Sequence, residues 1–439
     1  MEGRLMIFVL LIFLLFSLWL SYQLHGKEIP TPSFIFNLSF TFSCAIATLY
    51  FERWELGLHF DTFLTILGGS FLFTFVSIFT HHLYRRFNGK GITNIQEDKA
   101  YHIDNWKTLL FIGISSISII WSIYFLRHNV NETTLARIIY AYRYANVFTE
   151  RHITMPKTLG YLRSFTMAVG YFYAFVLGNI FAINKRVNIL HLAIVVLSAI
   201  SASLTGGRQN AINLIVSIFA AFLLFRQKKH GAGKSLSLKK MAKYGVIALI
   251  VSWAFKSGGE LIGRSNKSVS LFDYIAKYCG AEIKNLDIFL SNRTDNSNTL
   301  WGMQTFYSFW SWIGKELPVR DLPFNVINEF NLGNVYTTYY DYIYDFGYLG
   351  ILPLISIMAF LMQLLYEKVR WGKNNNRMVF WYVLFGYEFP NILFSFFSNE
   401  FYIYNLSSVF VQYCLFWIVI KIFCLSININ IKKSVLLIR

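Results

Sequence analysis

"LMIFVLLIFLLFSLWLSYQL", Leu5 to Leu24, is an unbroken apolar run as long as the ~20 residues that a helix needs to cross about 30 Å of hydrocarbon. No small-residue cleavage site follows it, so it reads as a retained first helix rather than a cleavable signal. Further runs of this kind cover Phe34 to Tyr50, Phe60 to Thr80, Trp106 to Leu126, Tyr161 to Ile183, Val187 to Leu204, Ala211 to Phe225, Tyr244 to Ile262, Tyr344 to Tyr366, Met378 to Ser395 and Ile403 to Phe423. The pattern predicts an all-α polytopic membrane protein with about eleven transmembrane helices, ten to twelve being compatible with the shorter runs. Residues 1–439 form a single integral domain on this reading.

Composition agrees. Of the 439 residues 55% are hydrophobic and 14% charged, and the mean hydropathy is +0.45, a balance that excludes a large soluble core. The formal net charge of +17 would suit nucleic acid if Lys and Arg clustered on a polar domain. They fall instead between apolar runs, which points to anionic lipid headgroups and membrane topology. Cys44, Cys279, Cys414 and Cys424 show no metal-ligand spacing and three of them lie in apolar runs, so neither a zinc site nor a disulfide framework is expected.

Sidedness follows from the basic connections. Residues 226–243, "RQKKHGAGKSLSLKKMAK", carry no acid and are expected to be cytoplasmic. "EKVRWGKNNNR" (Glu367 to Arg377), Lys185 with Arg186, and Arg85 to Lys90 fall on the same side. Eleven spans then leave Met1 outside. On the outer face lie an amphipathic segment at 127–160, the tight turn Thr205 to Asn210, a polar cap at 263–343 and the "SNEF" turn at Ser398. Arg137, Arg143, Arg151, Arg208 and Arg264 all fall on this face, where positive charge is ordinarily depleted.

The turn "TGGRQN" joins two apolar helices. Free N–H groups at the start of the second helix favour an anion. Gly206 and Gly207 let an incoming group approach the backbone, and Arg208 supplies a planar fork suited to phosphate. The plainer reading is an interhelical turn whose arginine reaches to headgroups. "KSGGELIGRSNKS" (Lys256 to Ser268) repeats these ingredients with Arg264 on the same face. In "TTLARIIYAYRYANVFTERHI" (Thr133 to Ile153) Arg137 and Arg143 fall on different faces of an amphipathic helix, so one of them, not both, is expected to reach a ligand. Asn334, Tyr336 and Thr337 in "NEFNLGNVYTTYYDYIYDFGYLG" (Asn328 to Gly350) offer amide, hydroxyl and flat aromatic groups suited to sugar. Asp341, Asp345 and Glu260 are the acids placed at the mouth of the bundle, where an acid must be functional or paired; Asp345 reads equally as part of a close-packed helix junction. His152 is the best-placed outer histidine.

"LTGGRQNAI", "GGELIGRS" and above all "NVYTTYYDYIYDFGYLG" leading into a span and a basic loop resemble the bacterial Wzy-type oligosaccharide repeat-unit polymerases, from about Arg137 onward. The resemblance implies a metal-independent glycosyltransferase of the bacterial inner membrane, needing no cofactor and GT-C-like in architecture. It implies transfer of a glycan from undecaprenyl pyrophosphate to a sugar hydroxyl of another lipid-linked repeat unit at the periplasmic face, in O-antigen or capsule synthesis. It also implies a chain-length regulator as partner beside the membrane lipids. Some members pair an arginine with a glycine at a fixed spacing in two outer loops; Arg137, Arg143, Arg151, Arg264 and Arg293 lack that glycine, so those loop roles do not carry over. Expected roles are Arg208 and Arg264 on the diphosphate, Arg143 or Arg137 assisting, Asp345 or Glu260 as base, and Tyr336 and Thr337 at the sugar. A ligase of the same chemistry differs only in its acceptor. A flippase would carry charges at mid-span and often two related halves; such charges are mostly absent here and no related halves are found.

Overall fold

A computed structural model describes residues 2–88, 100–149, 152–231, 256–257, 270–292 and 300–426. In chain order its helices are α1 (Glu2–Leu24), α2 (Pro32–Leu49), α3 (Phe60–Asn88), α4 (Asn105–Asn129), α5 (Leu135–Phe148), α6 (Lys157–Asn184), α7 (Ile189–Ser203) and α8 (Gln209–His230). They continue with α9 (Leu271–Cys279), α10 (Ala281–Ser291), α11 (Tyr307–Trp312), α12 (Thr338–Phe346), α13 (Ile351–Trp371), α14 (Val379–Leu393), α15 (Glu400–Asn405) and α16 (Ser408–Ser426). Among the described residues eight helices are long and apolar enough to cross a membrane: α1, α2, α3, α4, α6, α8, α13 with the 3-10 turn before it, and α16. This is a multi-pass membrane protein. The predicted span from Tyr244 to Ile262 falls almost wholly outside the described residues.

Among the described residues two groups of helices make the bundle. In one, α1, α2, α3 and α13 pack together; in the other, α6 packs against α4, α7, α8 and α16. Helix α14 touches α2, α6, α8, α13 and α16 and joins the two. Lipid offers no hydrophobic drive for helices to associate, so polar and small residues do that work. Ser17 Oγ donates to Asn37 Oδ1 at 2.8 Å and Asn37 Nδ2 to Thr74 Oγ1 at 2.7 Å, tying α1, α2 and α3. Ser217 Oγ of α8 donates to the Gly386 carbonyl of α14 at 2.6 Å, and Trp417 Nε1 of α16 to the Ala168 carbonyl of α6 at 3.0 Å. The outward faces are apolar, as with Ile12, Phe16 and Trp19 on α1 and Leu415, Val419 and Ile422 on α16.

The helix ends sort into two sets. At one end Lys228 Nζ donates to the carbonyls of Val369 and Gly372, and Lys229 Nζ to that of Ile183, so the basic ends of α6, α8 and α13 meet. The opposite end gathers α5, the turn between α7 and α8, α9, residues 300–346 and the Ser398 turn. The cap is tied to the α2–α3 turn: Arg53 Nη1 pairs with Asp273 at 2.5 Å, and Asp287 accepts from His59 N at 2.9 Å and Thr62 Oγ1 at 2.7 Å.

Three local features differ from the sequence reading. The cap contains a two-stranded antiparallel hairpin, β1 (Asn325–Ile327) and β2 (Phe330–Gly333), so the chain is not purely helical. Its two-residue turn has positive φ at both Asn328 and Glu329 (45° and 61°), the geometry whose twist matches that of paired strands. The span read as Tyr344 to Tyr366 is broken at Gly347, where φ is 66°: α12 belongs to the cap and the membrane helix starts beyond it. The last span likewise splits into α15 and α16.

Candidate functional site

Between the cap and the bundle lies a cavity of about 1080 Å³, larger than the ~300–1,000 Å³ of ordinary small-molecule pockets. One wall is the turn that ends α7. Gly206 takes φ +77° and donates its N–H to the Ser203 carbonyl at 2.9 Å, reversing the chain into α8. Gly206 itself does not line the cavity. Arg143, from α5, lies across it: Arg143 Nη1 donates to the Gly206 carbonyl at 3.2 Å. A Cβ added at Gly206 would come within 2.8 Å of Arg143 Cβ. The group that the glycine admits is therefore an arginine side chain of the protein. Gly207 lines the cavity beside it.

Arg208 is the residue before α8 and is only 8% exposed. Its guanidinium lies 5.9 Å from the centroid of the Tyr274 ring of α9, which holds the fork by cation–π attraction. Gln209 and Asn210, opening α8, also line the cavity, so the positive end of that helix dipole adds to the arginine.

The cap forms the facing wall. Asn334, Tyr336 and Thr337 line the cavity in the strand-to-helix connection before α12. The Tyr336 hydroxyl is already occupied, donating to the Pro323 carbonyl at 3.0 Å and accepting from Asn325 Nδ2 at 3.1 Å. It braces the wall and offers its ring rather than its hydroxyl; burial pushes the phenol up to about 12. Thr337 is 1% exposed. Tyr140 and Tyr144 of α5 and Tyr278 of α9 add further aromatic surface.

Among the described residues two carboxylates line the cavity. Asp341 is 2% exposed and accepts from Arg320 Nη2 with both oxygens, at 2.7 and 2.6 Å. Burial raises its carboxyl to about 6, against the lowering effect of that guanidinium. Glu400, at the start of α15, is 4% exposed and accepts from Ser398 Oγ at 3.0 Å, with the amides of Gln209 and Asn213 beside it. Burial raises it to about 7. With Arg143, Arg208, Arg320 and Lys277 at the cavity and Glu400 near neutrality, positive charge is in excess there.

The residues named from sequence divide accordingly. Arg143, Gly207, Arg208, Asn334, Tyr336 and Thr337 share the one cavity. Arg137 does not: it is exposed and faces a separate depression with Glu132, Ala141 and Thr149. Asp345 is not part of the lining either. One helical turn beyond Asp341, its carboxylate accepts the backbone N–H groups of Gln304 at 3.2 Å and Thr305 at 2.6 Å, pinning the loop before α11. Its placement favours the junction reading over the base. His152 is exposed and also lies apart. Arg264 and Glu260 lie outside the described residues.

Sequence reasoning missed Arg320, Lys277 and Glu400. An acid between two apolar runs was a signal for Glu400, since such a charge is expensive unless used or paired. Nothing local distinguishes Arg320 from other loop arginines. No family model, curated protein or solved structure matches the chain.

Proposed function

We propose that this chain is a membrane glycosyltransferase that polymerises oligosaccharide repeat units carried on a polyprenyl diphosphate such as undecaprenyl pyrophosphate. On this reading it crosses the bacterial inner membrane eleven times in a GT-C-like arrangement, with the cap and cavity on the periplasmic side. The observation that carries it is the convergence of Arg143 and Arg208 with exposed tyrosines in one large cavity where bundle meets cap. Guanidinium forks match phosphate oxygens in pairs, and tyrosine faces suit sugar rings. A lipid-linked donor presents these chemistries in the same order, with its diphosphate at the membrane surface and its glycan above it.

Cleavage of the bond from the anomeric carbon to the diphosphate leaves negative charge on the leaving oxygens. Arg143 and Arg208, held on the Gly206 carbonyl and the Tyr274 ring, stabilise that charge without moving, as preorganised donors do. The cavity has room for donor and acceptor sugars together, which converts an encounter of two lipid-linked molecules into a positioned reaction. A chain-length regulator is the expected protein partner.

Deletion of the gene followed by gel analysis of the surface glycan tests the reading. A polymerase predicts loss of the ladder with a single repeat unit retained. Loss of every unit supports a ligase or flippase instead. In a complemented strain, R208A at normal protein level is expected to lose the ladder; long chains in that variant remove Arg208 from the diphosphate.

A further inference from the structure

We propose that Glu400 is the group that takes the proton from the acceptor hydroxyl during transfer, an assignment that rests on the glycosyl-transfer reading above. Among the described residues two carboxylates face the cavity, and their surroundings differ. Both oxygens of Asp341 are held by the Arg320 guanidinium, so its charge is compensated and its lone pairs are engaged. Glu400 meets neutral donors: the Ser398 hydroxyl at 3.0 Å and the side-chain amides of Gln209 and Asn213. Burial raises both carboxyls and the partners of each lower them, but the oxygens of Asp341 are committed to a charge-assisted ion pair, whereas those of Glu400 are held by weaker neutral donors that an acceptor hydroxyl can displace.

Position supports the same choice. Glu400 shares the cavity with Gln209 and Arg208, at the start of the helix whose dipole favours the diphosphate. Among the described residues the other charged or titratable groups facing the cavity are Arg143, Tyr140 and Tyr144 on α5, Lys277 and Tyr278 on α9, Asp341 with Arg320, Tyr336 before α12, and Tyr404 one turn along α15. Tyr171 of α6 lines an adjoining cavity together with Asn213 and Tyr404. In the step itself the acceptor oxygen forms its bond to the anomeric carbon and gives its proton to the Glu400 carboxylate. The bond from that carbon to the diphosphate oxygen breaks, and its electron pair leaves with the diphosphate held by Arg143 and Arg208. Glu400 returns the proton to water. Burial sets its carboxyl at about 7, so uptake and release are both accessible near neutral pH, the condition an efficient base requires.

The test uses full-length protein in detergent or vesicles, with lipid-linked repeat units extracted from cells lacking it as substrate. Turnover of the wild type is expected to rise through one ionisation near pH 7. E400Q is expected to lose about 10²–10⁴-fold in turnover while binding undecaprenyl diphosphate within about threefold of wild type. E400D, which keeps the carboxylate on a shorter arm, is expected to retain partial turnover with its acidic limb displaced, and it guards against a folding defect in E400Q. Turnover of E400Q near wild type, or the same acidic limb in E400Q, overturns the assignment while leaving the transferase reading intact. Absence of transfer by the wild type with these substrates overturns both.

Discussion

Replacing Gly206 with alanine removes no functional group, yet it is expected to disable the site. At φ +77° an alanine sits in the left-handed region, which costs about 1–2 kcal/mol. Its Cβ would lie 2.8 Å from Arg143 Cβ and 2.9 Å from Arg143 Cδ. The nearer of these is the root of the side chain, fixed to α5, so a rotamer change cannot relieve it. Overpacking of this kind adds about 1–3 kcal/mol, and the total is about 2–5 kcal/mol if nothing moves. Relief requires α5 and Arg143 to draw back from the turn, and a displacement near 1 Å in a positioned site costs about 10²-fold in rate. Gly207 is the control. An alanine there meets only Arg143 Nη1, at 3.4 Å, the mobile end of the side chain, and is expected to change stability by less than about 1 kcal/mol. Glycan ladders from complemented cells, with thermal unfolding of the purified variants, measure both effects. G206A indistinguishable from G207A in both assays would refute the claim that the glycine exists to seat Arg143.

R320A leaves the Asp341 carboxylate buried without its guanidinium, and breaking such a pair typically costs about 3–5 kcal/mol. The folded-state carboxyl already lies near 6, above its usual 3.8, so its charge reduces stability as pH rises through that interval. Removing Arg320 raises the folded value further. The stability gap between R320A and wild type is therefore expected to be widest at pH 8 and to narrow toward pH 5; a gap independent of pH contradicts this account. D345N is expected to weaken the two bonds from the Gln304 and Thr305 N–H groups and to lower stability by about 1–2 kcal/mol, while the glycan ladder keeps its length. Loss of the ladder at full protein level in D345N would return Asp345 to the reaction.

Much of the site was legible in the chain, and the limits follow from what is local. The TGGRQN turn could be read because a glycine needing positive φ and an arginine before a helix are short-range features. The separation of Arg137 from Arg143 was also readable, since helical periodicity puts them on different faces. The sequence pointed to Asp345 rather than Asp341: both lie on one short helix a turn apart, and only the loop at 304–305 decides that Asp345 is a brace and Asp341 a lining group. The break at Gly347 was hidden inside an apolar-flanked run whose composition suits a continuous helix.

The sequence by itself determined that this is a helical membrane protein, roughly where its helices lie, and that arginines and tyrosines gather at the ends of particular helices. These properties depend on apolar runs about 20 residues long and on helical periodicity. The tertiary structure alone decided which polar groups meet. Arg143 reaches the Gly206 carbonyl, Arg320 neutralises Asp341, and Glu400 faces the start of α8 because helix packing makes those elements neighbours. Apolar composition drives each helix into lipid without selecting its neighbours, whereas close packing and buried hydrogen bonds do select them.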